Sequence, residues 1–256
     1  MNINLQGQTA LVTGGASNIG RGITLQLAKS GAKVIILDKD EAQARETAKQ
    51  APDAIRVIPC DLSDLDQVRS VAEQLSAQER ICVLVNNAGW VHSVDFAEKD
   101  PAQMDFEIRL NLISPLTLTR LLLPGMIERR YGRIVSVASE AGRAGQRKQV
   151  AYSAAKGGIL GMTRSLSHEV GRHNITVNAV SPAMTIPENT GDIGQGSMQN
   201  ARDRPAEFMA KIIKSYPVGR VGHPRDIAAT VAFLASDQAE FITGQTIAVN
   251  GGFITT

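Results

Sequence analysis

The amino-acid sequence predicts one α/β domain, a doubly wound parallel sheet of seven strands with helices on both faces. Short runs rich in valine, isoleucine and leucine alternate with helical patterns from one end of the 256-residue chain to the other. The runs are continuously apolar, which is typical of strands buried on both faces by crossover helices. No linker, internal repeat or low-complexity tract interrupts the chain, so residues 1–256 are predicted to form a single domain.

Each predicted strand is bounded by glycine, proline or polar residues. The predicted strands are Thr9–Thr13, Lys33–Asp38, 55–60, Ile81–Asn86, 133–137, 176–180 and 245–249. The predicted helices cover 20–30, 40–50, a segment opened by the capping residues 61–64, 101–126, 150–173 and two segments between 204 and 245. The polar, glycine-bearing stretch 183–204 is a long loop, and long loops in compact domains are commonly lids or binding loops. We therefore expect residues 183–215 to shape the substrate site.

Composition and charge exclude several classes of function. The net charge is +2 and the basic residues are dispersed, unlike the footprint of a nucleic-acid-binding protein. No apolar run reaches membrane-spanning length and the N-terminus lacks a signal peptide, so we expect a cytoplasmic protein. Cys60 and Cys82 border apolar runs, as reduced core thiols would. The four histidines show no ligand spacing, so no metal site is predicted.

Tyr152 and Lys156 stand one helical turn apart in a predicted helix, with only small residues between them. Positions i and i+4 share a helix face, so the phenol and the ammonium point into the same space. A free tyrosine ionises only near pH ~10, but a neighbouring cation and the helix N-terminus both favour the phenolate. Tyr152 is therefore a candidate general acid/base with Lys156 as its partner. For this pair taken alone, an ordinary solvated helix face is the alternative.

A glycine-rich segment joins the first strand to the first helix. Gly14 and Gly20 allow a tight turn, in which backbone amides around Ser17, Asn18 and Ile19 approach a pyrophosphate at the helix N-terminus. The spacing matches the general dinucleotide-binding pattern only loosely. Its position between strand and helix favours a binding turn over a turn without a ligand.

Asp38 ends the second strand, where a carboxylate can accept both ribose hydroxyls of NAD and repel the 2′-phosphate of NADP. Lys39 follows and could instead pair with a phosphate, but the strand-end position of the acid favours NAD. Asp61 ends the third predicted strand and is placed to meet the adenine edge. A helix-capping role is an equal alternative for Asp61 and is compatible with it.

These motifs together resemble the short-chain dehydrogenase/reductase family over essentially the whole chain. Each motif is weak alone, and the full set in this order is specific. The resemblance implies a Rossmann fold with strand order 3-2-1-4-5-6-7 and a homotetramer. The residues that carry it are Thr13, Gly14, Ile19, Gly20, Asp61, Asn86, Asn87, Ala88, Gly89, Asn111, Ser139, Tyr152, Ser153, Ala154, Ala155, Lys156, Ser181, Pro182, Val249, Asn250, Gly251 and Gly252.

The resemblance also implies catalytic roles. Tyr152 would exchange a proton with the substrate oxygen, Ser139 would hydrogen-bond that oxygen, and Lys156 would hold the nicotinamide ribose. Asn111 would support a proton relay through water to Lys156. Pro115 supplies a physical reason for this relay, because it has no amide hydrogen and leaves the carbonyl of residue 111 free for a water.

The family also implies the remaining cofactor contacts, and the chain departs from its pattern at two of them. Asn18 stands where the family usually has glycine; asparagine tolerates a left-handed backbone, and its side chain would crowd the pyrophosphate or donate to it. Ala183 also replaces a usual glycine, and the family's carboxamide-binding threonine normally comes a little later than Thr185. Asn87 and Gly89 have a structural role as their alternative. The implied contacts beyond the glycine turn are Asp38, Asp61, Leu62, Asn87, Ala88, Gly89, Tyr152, Lys156, Pro182 and Thr185.

The predicted function is NAD(H)-dependent interconversion of a secondary alcohol and a ketone by hydride transfer. The alternatives are an NADPH-dependent 3-oxoacyl carrier-protein reductase and, in another class, a non-catalytic NAD-binding scaffold or redox sensor. The expected mouth of the site carries three basic residues, Arg143, Arg147 and Lys148. They would either receive an acidic substrate such as a hydroxyacyl thioester or belong to a solvated loop, and the solvated loop is the favoured interpretation. The candidates for an apolar wall are Met184, Ile186, Met198, Phe208, Met209 and Ile212.

Overall fold

Seven parallel strands form the sheet in the computed structural model, which describes residues 3–197 and 205–255. The strand order is β3-β2-β1-β4-β5-β6-β7, and every neighbouring pair is parallel. The predicted doubly wound fold and its strand order are therefore confirmed. The strands are β1 (Thr9–Thr13), β2 (Lys33–Asp38), β3 (Ile55–Pro59), β4 (Ile81–Asn86), β5 (Gly132–Val137), β6 (Ile175–Pro182) and β7 (Thr246–Val249).

Helices follow the strands and cover both faces of the sheet. Across the described residues they are α1 (Asn18–Lys29), α2 (Glu41–Ala48), α3 (Leu65–Gln78), α4 (Pro101–Ile108), α5 (Ser114–Arg129), α6 (Glu140–Ala144), α7 (Val150–Val170), α8 (Ala206–Ile213) and α9 (Pro224–Leu234). In β1, Ala10 and Val12 pack with α1 and α9, whereas Leu11 packs with α3 and α5 on the opposite face. Alternate residues of a strand point to opposite faces, so a strand covered on both sides must be apolar throughout.

The predicted helix over 101–126 is present but is not uniform. A π-helical turn, Arg109–Ile113, joins α4 to α5, and within it the N–H of Ser114 donates to the carbonyl of Arg109. Pro115 cannot donate a backbone hydrogen bond, which favours such a wider turn just before it. The turn carries Asn111, whose side chain is fully buried.

The continuous helical run Pro101–Arg129 is long and apolar enough, by length and composition, to cross a membrane. The sequence expectation that no run reaches that length is therefore wrong. The run packs along α3 and the sheet through Leu118, Leu122 and Met126. A covering helix of an α/β sheet meets the same criteria, so this run is only weak support for a membrane segment.

Three further differences from the sequence prediction lie near the carboxyl ends of the strands. The short helix α6 directly follows β5 where no helix was predicted, and β6 extends to Pro182. Within the predicted long loop, Thr190–Asp192 forms a single 3₁₀ turn. All three differences affect the edge of the sheet at which ligands bind in doubly wound folds.

Candidate active site

The carboxyl ends of β1 to β6 open onto a cleft of about 310 Å³. Ser139 lines this cleft, whereas Asn111 lies buried behind it. The cleft therefore unites segments that are distant in the chain, as the sequence analysis predicts. Every residue predicted to contact the cofactor is in its lining: Gly14, Ser17, Asn18, Ile19, Gly20, Asp38, Asp61, Leu62, Asn87, Ala88, Gly89, Tyr152, Lys156, Pro182 and Thr185.

The turn between β1 and α1 has the geometry of an anion site. Gly14 has a φ of +62°, and a Cβ on Gly20 would lie 1.8 Å from the carbonyl oxygen of Gly14, so neither position tolerates a side chain. The first turn of α1 has no acidic residue, and the Ser17 hydroxyl at its N-cap makes no capping hydrogen bond. Unsatisfied N–H groups and the positive end of the helix dipole therefore border the cleft, as a pyrophosphate requires.

Asn18 occupies this turn with a φ of +47°. Its side chain is 9% exposed, and its Oδ1 has no hydrogen-bond partner among the residues that the structure describes. The turn thus accommodates the replacement of the usual glycine, as expected for asparagine. An amide oxygen only accepts hydrogen bonds, so Oδ1 awaits a donor, and the Nδ2 group is the part of this amide that can donate to a bound phosphate.

The carboxylate of Asp38 is tied to the glycine turn. Its Oδ2 accepts from the N–H of Ala16 and its Oδ1 from the N–H of Asp40, both at 3.0 Å. Burial raises the pKa of Asp38, and hydrogen bonds from the backbone, including those of Asp40 and Ala16, oppose that shift. Lys39 and Asp40 also line the cleft, so two carboxylates and one ammonium stand where the adenosine ribose would lie.

Asp61 does not cap α3. Its Oδ1 accepts from the N–H of Ser63 at 2.9 Å and from the Ser63 hydroxyl at 2.7 Å, while the capping residue is Asp64. The neighbouring Cys60 also lines the cleft, and burial raises the pKa of its thiol to about 11. Cys60 and Cys82 are both free and buried, so this part of the cleft contains a neutral, unreactive thiol.

Asn87 joins β4 to the glycine turn. Its Nδ2 donates to the carbonyls of Thr13 at 2.9 Å and Gly14 at 3.0 Å, and its N–H donates to the Thr13 hydroxyl at 2.9 Å. The structural role offered as its alternative is therefore present, in addition to its place in the cleft lining.

Tyr152 lies in the first turn of α7, and the Nζ atom of Lys156 is 5.7 Å from the centre of its ring. Lys156 is 3% exposed, and its Nζ donates to the carbonyl of Val137 at 2.8 Å. Burial lowers the pKa of Lys156 to about 8. The ammonium is still mostly charged at neutral pH, so a cation stands beside the phenol inside the cleft.

The unpredicted helix α6 positions Ser139. The Ser139 hydroxyl is its N-cap and accepts from the N–H of Ala141 at 3.1 Å. A Cβ on Gly142 would lie 2.7 Å from the carbonyl carbon of Lys156, so the glycine allows α6 to pack directly on α7. The serine is thereby held against the helix that carries the tyrosine and the lysine.

Asn111 connects the π-helical turn to the cleft wall. Its Nδ2 donates to the carbonyls of Trp90 and Glu107, both at 2.8 Å, and its Oδ1 accepts from the N–H of Trp90 at 3.3 Å. A Cβ on Gly89 would lie 2.8 Å from Asn111 Oδ1 and 3.4 Å from Lys156 Nζ. Asn111 thus stands close behind the lysine, and its relay role stays a prediction.

The substrate end of the cleft contains side chains that the sequence analysis did not single out. Tyr216 accepts a hydrogen bond from the N–H of Met184 at 3.0 Å, and its ring stacks on Phe253 at 5.1 Å between centroids. These contacts join separate segments, so no local pattern marks them. The unpredicted lining residues also include Trp90, Val91, Phe106, Leu110, Glu140, Gln146 and Gln149. Of the predicted apolar wall, Met184 and Ile212 line the cleft, Ile186, Phe208 and Met209 do not, and Met198 lies outside the described residues.

The three basic residues predicted at the mouth are not in the cleft lining. Arg143 pairs with the buried carboxylate of Glu140 at 3.1 Å, and Lys148 pairs with Asp95 at 3.0 Å. Two of the three charges are thus already compensated, and Arg147 does not reach the cleft lining. The geometry disfavours an acid-binding mouth: Arg147 and Lys148 lie in an exposed loop, as expected, whereas Arg143 belongs to α6 and pairs with a buried carboxylate.

Residues 190–197, which we call the strap, lie across the cofactor end of the cleft. Asp192 pairs with Arg21 of α1 at 3.0 Å, and the carbonyl of Gly191 accepts from the Gln43 side chain of α2 at 3.2 Å. Gly196 and Ser197 reach the cleft lining. The strap therefore bridges the two helices whose N-termini border the cofactor end.

A family model described as Enoyl-(Acyl carrier protein) reductase matches residues 14–254. The 3-oxoacyl-[acyl-carrier-protein] reductase FabG of Rickettsia conorii is 37% identical over 98% of this chain and 99% of its own length. The chain belongs to the short-chain dehydrogenase/reductase family. It is accordingly a short-chain oxidoreductase that acts between CH–OH and ketone groups with a nicotinamide dinucleotide.

Two solved members of the short-chain dehydrogenase/reductase family share the whole fold. A putative NAD(P)-dependent gluconate 5-dehydrogenase from Beutenbergia cavernae, with NADP bound at low occupancy, is 34% identical with a TM-score of 0.88, covering 99% of each chain. A putative gluconate dehydrogenase from Agrobacterium tumefaciens is 28% identical with a TM-score of 0.90, covering 100% of this chain and 99% of its own.

Proposed function

We propose that this short-chain dehydrogenase/reductase reduces a 3-oxoacyl ketone to the secondary alcohol with a nicotinamide dinucleotide, and catalyses the reverse oxidation at the same site. The observation that carries the proposal is the meeting of Ser139, Tyr152 and Lys156 in one cleft with the glycine turn. Full-length similarity to a 3-oxoacyl reductase supports this alternative better than the NAD-dependent alcohol oxidation that the sequence favours.

Reduction requires a hydride at the carbonyl carbon and a proton at the carbonyl oxygen. The nicotinamide, when bound, supplies the hydride from C4. The Tyr152 hydroxyl delivers the proton, and the Ser139 hydroxyl donates a second hydrogen bond that stabilises the charge developing on the oxygen. The Lys156 ammonium then stabilises the phenolate that remains on Tyr152.

Tyr152 must recover its proton before the next turnover. Asn111 stands behind Lys156, next to Gly89, in the π-helical turn that precedes Pro115. We assign Asn111 the task of holding a water that returns the proton from solvent by way of Lys156. This assignment places the relay on the buried side of the cleft, away from the substrate.

The cofactor preference has two candidates, which differ at the 2′ position of the adenosine ribose. NADP in the Beutenbergia relative supports NADP(H). Asp38 and Asp40 at the expected ribose position support NAD(H), because two carboxylates repel a 2′-phosphate. Comparing kcat/KM with NADPH and with NADH decides between them. The cofactor that gives a kcat/KM at least about tenfold higher, a difference of about 1.4 kcal/mol, is assigned as the preferred one.

A substrate panel tests the proposed activity. It compares 3-oxoacyl thioesters with ketones of sugar acids, which are included because the two solved relatives are named as gluconate dehydrogenases. We expect reduction of the thioesters by the wild type and turnover lower by at least about 10²-fold in Tyr152→Phe. Turnover confined to the sugar acids would contradict the 3-oxoacyl assignment while leaving the ketoreductase chemistry intact.

A non-catalytic dinucleotide-binding scaffold is the proposal of another class. It predicts cofactor binding without turnover of any alcohol or ketone in the panel. The presence of Ser139, Tyr152 and Lys156 together in the cleft supports an enzyme, because a scaffold needs no proton donor beside the nicotinamide.

We also propose a homotetramer in the cytoplasm. Exposed apolar side chains support assembly: Met104 and Leu116 on the run Pro101–Arg129, and Val218 and Phe253 near the C-terminal end of the chain. Light scattering of the purified protein in detergent-free buffer tests the assembly. A monomer at micromolar concentration would contradict it.

A further inference from the structure

A buried ionic pair behind the cleft wall has no part in the reaction proposed above. Glu107 of α4 is fully buried, and its Oε1 lies 2.6 Å from the Nζ of Lys99, whose side chain is 5% exposed. The same oxygen accepts from the N–H of His92 at 2.5 Å, and Lys99 donates to the carbonyl of His92 at 2.9 Å. The pair therefore holds both backbone polar groups of His92.

The network reaches the cleft through the Trp90 indole. The Nε1–H of Trp90 donates to His92 Nε2 at 3.0 Å, and Trp90 lines the cleft. Since Nε2 accepts, the neutral imidazole carries its proton on Nδ1, which faces Glu107 Oε1 at 3.5 Å. The imidazole also packs against the ring of Phe106, another lining residue, with 6.4 Å between centroids. Nδ1 itself makes no hydrogen bond among the described residues, so the carboxylate is connected to the cleft wall through the backbone N–H of His92 and the hydrogen bond between the Trp90 indole and the imidazole.

The segment between the network and the reaction centre is short. The Asn111 side chain binds both backbone polar groups of Trp90: its Oδ1 accepts from the Trp90 N–H and its Nδ2 donates to the Trp90 carbonyl. The same Nδ2 also donates to the carbonyl of Glu107. A displacement of residues 90–92 would therefore also displace the Asn111 side chain. Asn111 Oδ1 and Lys156 Nζ both lie beside Gly89.

The burial of Glu107 is not explained by stability alone, because an apolar side chain of similar volume is often as stabilising as a buried ion pair. Glu107 Oε2 is buried with no hydrogen-bond partner in the described part of the chain, so this oxygen does not compensate any buried polar group. Its other oxygen, Oε1, accepts from the Lys99 ammonium and from the backbone N–H of His92.

We infer that Glu107 is a positioning residue that acts through His92 to hold the Trp90 indole as a rigid wall of the substrate site. The inference rests on the proposed function for its kinetic consequences only. A rigid indole limits the poses that a ketone can adopt before Tyr152, so loosening it weakens substrate binding more than cofactor binding. The Lys99 ammonium compensates the charge of the carboxylate and donates to the carbonyl of His92, so that both backbone polar groups of His92 are held.

Fluorescence tests the inference directly, because Trp90 is the sole tryptophan of the chain. We compare the wild type with Glu107→Gln, which keeps the shape of the side chain and removes its charge. The matched control is Asp105→Asn on the same helix, which removes an exposed carboxylate paired with Arg109. The folded proteins are examined for emission maximum and for acrylamide quenching, without cofactor and without turnover.

We expect Glu107→Gln to shift the emission to longer wavelength and to raise the quenching constant about twofold, with Asp105→Asn like the wild type. Should Glu107→Gln fail to fold, His92→Phe takes its place, because it keeps a ring against Phe106 and removes both imidazole nitrogens. Emission and quenching like those of the control in the folded variant would overturn the inference.

Kinetics supply the second readout. Glu107→Gln should raise the KM for the ketone about tenfold and leave the KM for the cofactor within about twofold. In the Trp90→Phe background the same change should add nothing, because the side chain that Glu107 positions is gone. Fully additive effects would overturn the inference. If the wild type reduces no ketone, the proposed function fails, and the fluorescence measurement still decides the inference.

Discussion

The ammonium of Lys156 lies 5.7 Å from the centre of the Tyr152 ring and donates a hydrogen bond to the Val137 carbonyl. The strand β5 therefore fixes the cation, and the helix α7 fixes the phenol beside it. This arrangement joins two elements of different type at one point of the cleft. The proton transfer proposed for Tyr152 depends on it.

Tyr152→Phe removes the proton donor and keeps the aromatic ring. Turnover should fall by about 10²- to 10⁴-fold or more, the usual contribution of a positioned general acid. Cofactor affinity should change less than about twofold, because the contacts of the glycine turn and Asp38 are untouched. Steady-state reduction assays and quenching of Trp90 fluorescence by the cofactor measure the two quantities. Retention of wild-type turnover would remove the central assignment.

The activity should depend on the charge of Lys156. Burial lowers the pKa of Lys156 to about 8, so its protonated fraction falls as the pH rises through that value. The cation stabilises the Tyr152 phenolate, and kcat/KM for reduction should therefore decline above about pH 8.

A pH series with two variants checks the origin of this decline. Ser139→Ala should lower kcat/KM at every pH and keep the decline at the same place, because the lysine is intact. Lys156→Met should abolish most of the activity across the range. A wild-type profile that stays level up to pH 10 would argue against the lysine as its source.

Asp38→Ala should move the cofactor preference toward NADP(H). The change removes a carboxylate that would oppose the 2′-phosphate, and such like-charge contacts are worth several kcal/mol, so the ratio of kcat/KM values should shift on the order of tenfold or more. Asp61→Asn, which removes a charge from the lining near Cys60, is the control and should leave the ratio unchanged. An equal shift in both variants would mean that general charge, and not the ribose contact, sets the preference.

The Arg21–Asp192 pair should slow release of the cofactor, because it fastens the strap to α1. Asp192→Asn should speed dissociation by no more than about fivefold, since partly exposed ion pairs contribute up to about 1 kcal/mol. Stopped-flow displacement measures this rate. Glu46→Gln, which breaks an exposed pair with Lys49 on α2, is the control, and a rate unchanged by Asp192→Asn would show that the strap does not retain the cofactor.

Sequence reasoning succeeded where a local pattern had a single physical meaning. The run Thr9–Thr13 is buried along almost its whole length, so its apolar character predicted a buried strand correctly. Gly14, Gly20 and the Tyr152–Lys156 spacing belong to contiguous segments, and each segment reaches the cleft as predicted. The capping role offered for Asp61 failed because Asp64, three residues later, captures the N–H groups of α3.

The sequence by itself determined the strands, the order of the elements, the glycine turn and the tyrosine–lysine pair, because each rests on residues that are neighbours along one strand, turn or helix. The tertiary structure decided which distant groups meet. Glu107 accepts from the N–H of His92, and Asp192 pairs with Arg21. Asn87 donates to the carbonyls of Thr13 and Gly14. Such contacts depend on how helices and loops pack around the sheet, and periodicity along the chain does not encode them. For that reason the placement of Tyr152 beside Lys156 could be predicted from the sequence, whereas the wall of the substrate site emerged only from the fold.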